Sequence, residues 1–296
     1  MELRIYQPFL TEEHKKHISS VATPWDASHN TGSDSREYEL FKNIYDLNKQ
    51  GANLAWGLVS WKFQLKSTVS LDNFFDFAQD CLSNGADCIF INPMIANEAL
   101  YASVWEQGGS EGHVGMDIII RHLSQSIPNI YELMSRDVFA FCNYFVGTKN
   151  FWDKYFSFSE EILQNLENEK KNKTAPGNAY AGAANYVKDR STTMRPFVIE
   201  RIFSTFLMSN HGLKIASFRH DANHFRYKFG EQLGAILYEL SQAKDKALSG
   251  NRKDLQISWD KKRKKILSSF AKLIALHADD APEIYLEISH ETQRIL

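Results

Sequence analysis

The chain has 296 residues, 43% hydrophobic and 24% charged, with a formal net charge of −2 at pH 7. This composition excludes a disordered chain, provides a core for one large domain with or without an attached unit, and offers no overall attraction to nucleic acid. No apolar run reaches the ~18 residues that span a bilayer, and Met1-Glu2-Leu3-Arg4-Ile5-Tyr6 lacks the basic-then-apolar pattern of a signal peptide, so the cytoplasm is the expected compartment. Cys81, Cys88 and Cys142 lie in apolar contexts without metal-ligand spacing and read as small buried side chains rather than a zinc site or a disulfide. The 13% aromatic content suits sugar stacking and core filling equally well.

Leu3 to Phe9 alternates apolar and polar side chains and predicts a first strand, followed by a polar loop from His14 that ends in Trp25-Asp26-Ala27-Ser28-His29-Asn30-Thr31-Gly32-Ser33-Asp34. That loop carries hydroxyls and carboxylates suited to a ligand or simply to a turn. A helix is predicted from Ser35 to Gly51 on the stripe Leu40, Phe41, Ile44, Tyr45 and Leu47. Ala55 to Phe63 reads as a buried strand with Lys62 at its end, Asp72 to Leu82 as a helix, and Ala86 to Pro93 as a third strand ending at Asn92-Pro93. This alternation predicts crossover units and ligand binding beyond the carboxyl ends of the strands, where Lys62 and Asn92 lie.

Trp105 to Gly115 contains four glycines and leads into a helical Met116 to Gln125. It reads as a phosphate-holding turn, with His113 against a pyrophosphate, or as a plain surface loop; it matches neither the Walker nor the dinucleotide pattern. Val138 to Gly147 predicts a further buried strand with the polar Asn143 in its middle, and Lys149 to Leu166 an amphipathic helix. Asn168 to Asn178 has the composition of an exposed loop, and Ala179 to Ser191 reads as a segment that orders with ligand. Leu213 to Phe218 predicts a last strand. His220 to Leu248 and Leu255 to Leu276 predict two helices of a C-terminal appendage, the second with Lys261, Lys262, Arg263, Lys264 and Lys265 beside Trp259, Ile266, Phe270 and Leu273. That basic run suits an anionic membrane, a partner, or a solvated face.

The segment Arg195 to Leu207 organises the rest: Pro196 opens a helix that is apolar almost all round and must be buried. Glu200 and Arg201 therefore need partners or a polar cavity, and they leave the helix in different directions, Glu200 on the strip of Phe197, Ser204 and Leu207. One faces a site while the other anchors the helix, or both belong to a structural ion-pair network.

Several of these stretches together resemble the GT-A-type galactofuranosyltransferase domains of bacterial O-antigen and capsule synthesis. The stretches are Asn30-Thr31-Gly32 with Asp34 and Tyr38-Glu39-Leu40, Trp56 to Lys62, Asn143 to Gly147, Phe151 to Tyr155, and Phe197 to Phe203, in the family's order over roughly residues 1 to 210. Lys62 stands where the family usually has arginine, and Asn92-Pro93 occupies the region in which many nucleotide-sugar transferases carry Asp-x-Asp. The resemblance implies an α/β, GT-A-like (Rossmann-like) mixed sheet flanked by helices over 1–218, with a C-terminal helical extension over 219–296. It further implies transfer of a sugar, in that family galactofuranose, from a UDP-sugar to a hydroxyl of a surface glycan, lipid-linked or free, with inversion. Mg2+ or Mn2+ dependence stays open, no metal ligands are assigned, and no nucleic-acid partner is expected. The site would lie in the cytoplasm or at the inner face of the membrane, which the basic C-terminal helix could touch. Glu200 is the expected base, with Glu106 and Asp26 behind it; Lys62, Arg195, Arg201 and His113 are expected on the diphosphate, and Asn30, Asp34, Asn92 and Asn143 on nucleotide or sugar. The alternative is a non-catalytic glycan- or nucleotide-binding subunit of a polysaccharide-synthesis assembly.

Overall fold

A computed structural model describes residues 1–30, 34, 37–49, 51, 53–110, 113–184, 192–209 and 211–275. Six strands, β1 (Glu2–Phe9), β2 (Thr23–Asp26), β3 (Leu54–Leu58), β4 (Cys88–Phe90), β5 (Phe145–Gly147) and β6 (Ile215–Ser217), form one sheet in the order β2-β1-β3-β5-β4-β6. All run parallel to one another except β5, which lies antiparallel between β3 and β4 with Val146 opposite both Gly57 and Ile89. The fold is thus α/β with a mixed sheet flanked by helices.

The period-2 alternation of the strands divides the core into two. Ile5, Ala55, Ile89 and Val146 face a cluster completed by Phe74, Ala78 and Leu82 of α4 (Leu71–Ser83) and by Phe63, which opens the short α3 (Phe63–Ser67). Tyr6, Trp56, Leu58, Phe90 and Phe145 face the larger cluster, supplied by α2 (Glu37–Asn48), α8 (Lys149–Lys171) and α10 (Arg195–Met208). In that layer the rings form a slab: Trp56 stacks on Trp152 at 3.9 Å and Phe145 on Phe203 at 4.0 Å, while Trp152 Nε1 donates to Trp56 O at 3.1 Å. Gly147 is required beneath it, because a Cβ there would stand 2.0 Å from the Phe151 ring. Each such side chain contributes roughly 1.5–3 kcal/mol through burial.

Several expectations need revision. The polar loop after β1 contains α1 (Glu12–Lys15), capped by Thr11, and the edge strand β2, in which Pro24 lacks an amide hydrogen. The glycine-rich stretch is not a loop at its start but the helix α6 (Val104–Ser110), since Gly108 leaves space that Arg201 fills; a Cβ there would lie 2.7 Å from Arg201 Nε, Glu111 and Gly112 lie outside the described residues, and α7 (Met116–Leu123) follows. The strand expected over Val138 to Gly147 is confined to Phe145–Gly147, because Cys142 and Asn143 have left-handed backbones (φ 64 and 52) that end sheet pairing. Part of the exposed loop expected after Asn168 is helix: α8 runs on to Lys171, and α9 (Ala175–Ala181) starts at the Thr174 cap and packs its Gly177 against Glu169 backbone. Of the segment expected to order with ligand, residues 185–191 lie outside the described residues, as do Thr31 and Gly32.

Among the described residues the C-terminal helices are three, because Gly230 (φ 78) separates α11 (Ala222–Phe229) from α12 (Glu231–Ser249) before α13 (Lys253–Ala275); residues 276–296 of the expected extension lie outside the described residues. They are bound to α5 (Ile95–Leu100) through buried groups: Lys244 Nζ donates to Glu98 O and Tyr101 O at 2.9 and 2.7 Å, and Trp259 Nε1 to Ala99 O at 3.0 Å. On α13, Trp259 and Arg263 point inward while Lys261, Lys262, Lys264 and Lys265 are exposed. Among the described residues no helix is long and apolar enough to cross a membrane.

Candidate functional site

The five parallel strands end together on one side of the sheet, the side on which α/β folds bind ligands. Because β5 is reversed, the segment entering it, Phe141 to Tyr144, comes to this edge as well. Two consecutive non-glycine residues in the left-handed region cost about 1–2 kcal/mol each. Asn143, 7% exposed, also buries its Oδ1 without a hydrogen-bond partner among the described residues, a further cost of roughly 1–3 kcal/mol. Such costs concentrate where backbone shape serves a ligand.

The predicted strip on α10 is what holds this turn. Ser204 Oγ accepts from Ala140 N at 2.9 Å and donates to Ala140 O at 3.1 Å, and one helical turn earlier Glu200 Oε1 accepts from Cys142 N at 3.0 Å. Glu200 is half-buried, has no ion-pair partner among the described residues, and its Oε2 accepts no hydrogen bond from them. Lys66 Nζ stands 4.0 Å from the thiol sulfur of the same Cys142, and Tyr144 shares a 2.7 Å hydrogen bond with Ser60, two residues beyond β3.

Positive charge gathers on the β3 side of the turn. The Lys228 ammonium lies in the interior, donating to Lys66 O at 2.6 Å and Pro93 O at 2.7 Å, and burial lowers its pKa to about 8. Lys62 Nζ rests 5.2 Å from the centre of the Trp61 ring, which His14 stacks against at 5.3 Å. Burial raises the Tyr144 phenol well above its ordinary value, which keeps it a neutral hydrogen-bonding group. On the far side, the His113 ring lies 4.4 Å from Phe197, one turn before Glu200. Burial, and secondly the nearby Arg201 charge, hold its pKa near 4, so it is neutral at pH 7.

Of the residues expected from the sequence, the structure brings Glu200, Asn143, Lys62 and His113 to this edge or its walls. Others are spent on the scaffold. Glu106 is gripped by both terminal nitrogens of Arg263, at 2.7 and 2.9 Å, and faces α13 rather than the sheet edge. Arg201, 1% exposed, donates to Val104 O at 2.8 Å, to Phe197 O at 2.6 Å and to Gln107, which makes it the anchor of the two-role expectation. Arg195 pairs with Glu167 at 2.6 Å, and Asp34 accepts from Thr193 Oγ1 at 2.8 Å. Asp26 is the exception: as the last residue of β2 it lies at the same carboxyl edge, but exposed on the outermost strand, where it accepts from Ser28 N at 2.9 Å, a bond that lowers its pKa; Asn30 closes the 3-10 turn Ser28–Asn30 that follows. Asn92, 3% exposed, sits behind the turn and accepts from Phe141 N at 3.3 Å.

Lys66, Tyr144 and Lys228 went unforeseen. Lys66 had a signal, a second cation four residues after Lys62 beyond the strand end; Lys228 had none, since it arrives from α11. Among the described residues no three His, Cys, Asp or Glu side chains gather in a way that could hold a metal ion. Compared with models of known protein families, with curated proteins and with solved structures, the chain matches none of them.

Proposed function

We propose that the protein is a nucleotide-sugar-dependent glycosyltransferase that moves a sugar from a UDP donor to a hydroxyl of a bacterial surface glycan. The observation that carries this reading is the Glu200 carboxylate, half-buried at the ligand edge of the sheet, with Oε1 fixed by Cys142 N and Oε2 left to act. In the proposed step Oε2 takes the proton of the acceptor hydroxyl as its oxygen bonds to the anomeric carbon. The bond from that carbon to the diphosphate oxygen breaks with its electron pair, so UDP leaves and the configuration inverts. Lys66 and Lys62 supply positive charge toward the departing diphosphate, and the neutral His113 and the Asn143 amide are suited to sugar hydroxyls.

The mixed sheet with one reversed strand supports the GT-A-like reading of the fold, and the ordered resemblance of residues 1 to 210 supports the donor class. With a lipid-linked acceptor the enzyme works at the inner face of the membrane. UDP release from a panel of UDP-sugars, with and without Mg2+ or Mn2+, tests the reading: a sugar-dependent release that Glu200→Gln abolishes supports it. Thermal stabilisation by a UDP-sugar with no release of UDP under any condition would instead indicate a non-catalytic binding subunit.

A further inference from the structure

We propose that Asn92 is a positioning residue for the turn at 141–143, and that the C-terminal helices hold it in place through Glu98; its consequence for catalysis rests on the reading of Glu200 given above. Both polar atoms of the Asn92 amide are used. Oδ1 accepts from Met94 N at 3.1 Å and Phe141 N at 3.3 Å, and Nδ2 donates to Glu98 Oε2 at 3.1 Å and Met94 O at 3.4 Å. Glu98 is in turn clasped by α12, where Ser241 Oγ donates to Oε1 at 3.2 Å and Lys244 Nζ to the main-chain O at 2.9 Å. A continuous series of buried hydrogen bonds therefore runs from α12 through Glu98 and Asn92 to Phe141.

Phe141 immediately precedes the two left-handed residues. Its amide is fixed by Asn92 and the next amide, that of Cys142, by Glu200. An uphill backbone shape persists only where bonds on both sides over-determine it. Removing Asn92 leaves Phe141 N unpaired and lets the turn relax toward ordinary φ values, which carries Cys142 N away from the carboxylate. Asn92 touches no ligand in this account; it acts through the turn.

Cys142 is a built-in reporter: it is half-buried in the turn, Cys81 is half-buried on the remote α4, and Cys88 is fully buried. Iodoacetamide labelling of the full chain, resolved by peptide mass spectrometry, reads the turn directly. Asn92→Ala is expected to speed Cys142 labelling about tenfold or more while Cys81 keeps its wild-type rate. Glu98→Gln, which retains an acceptor oxygen for Asn92 while giving up the charge that faces Arg136 Nε at 3.9 Å, is expected to stay within about twofold of wild type at Cys142; Ser241→Ala, a milder break than Asn92→Ala, gives an intermediate rate there. In UDP-release kinetics Asn92→Ala is expected to lower kcat about tenfold with the stabilisation by UDP unchanged. Wild-type labelling of Cys142 in both Asn92→Ala and Ser241→Ala overturns the proposal, and so does equal acceleration at Cys81, which reports loosening of the whole chain. If no form of the protein releases UDP but the Cys142 rates change as stated, the transfer reading falls and the positioning role stands.

Discussion

The aromatic slab and the turn at 141–143 meet at the start of β5, the turn leading straight into Phe145 of the slab, and they are built on opposite terms. In the slab every ring is stacked or edge-packed and the Trp152 indole N–H is bonded. In the turn two residues are left-handed, and among the described residues a buried amide oxygen and one oxygen of a carboxylate have no hydrogen-bond partner. The first region gives up nothing to function, whereas the second is held against its own preference by the helices around it. That contrast, more than any single residue, marks the turn as the candidate site.

The contrast can be broken from either side. Trp152→Ala should cost the most, about 3–5 kcal/mol of stability by chemical denaturation. Glu200→Gln should leave the denaturation midpoint nearly unchanged and lower UDP release about 100-fold or more. Gly147→Ala, forced against the Phe151 ring, should cost about 1–3 kcal/mol, again in stability rather than in chemistry.

A pH series sharpens the picture around the edge. Burial lowers the His220 pKa to about 3, and its Nε2 lies 2.9 Å from Ser67 O. The unfolded chain, with an ordinary histidine near 6.5, binds the extra proton between those values. Stability is therefore full above about 6.5 and falls as pH drops toward 3, by roughly 1 kcal/mol per pH unit from this group. His220→Gln should flatten that part of the slope in melting curves run from pH 7 to pH 4. The smallest effect has the opposite sign: Asn143→Gly removes the unmet oxygen and the left-handed strain, the greater chain entropy of glycine and the lost side-chain packing offset most of this, and stability should rise by a net of about 0.5–1 kcal/mol while UDP-sugar binding weakens.

Much of the architecture was legible in the chain. The buried helix over 195–208, its two-way split of Glu200 and Arg201, and the strand–helix alternation all follow from spacing that the side chains must satisfy in any fold. What could not be read depended on partners far away in sequence. Glu106 looked like a carboxylate in a glycine-rich loop until Arg263, 157 residues on, claimed it, and Asn92 looked like a strand-end ligand group until Phe141 and Glu98 took its amide. Asn143 in an apolar run signalled that something unusual was present, and asparagine tolerates the left-handed region, but the same backbone at the neighbouring Cys142 is a tertiary outcome that no propensity encodes. The two residues flanking the site with charge, Lys66 and Lys228, meet only because α11 folds back over α3.

The two outermost strands have a consequence for behaviour in a crowded solution. A bare sheet margin is a template on which another chain can add itself, and long, flat margins seed aggregates. Here one margin is four residues long and interrupted by Pro24, which has no hydrogen to offer, and the other is only three residues long. The sheet thus ends in two stubs too short and too poor in donors for a neighbour to zip onto, and this keeps copies of the chain from polymerising edge to edge.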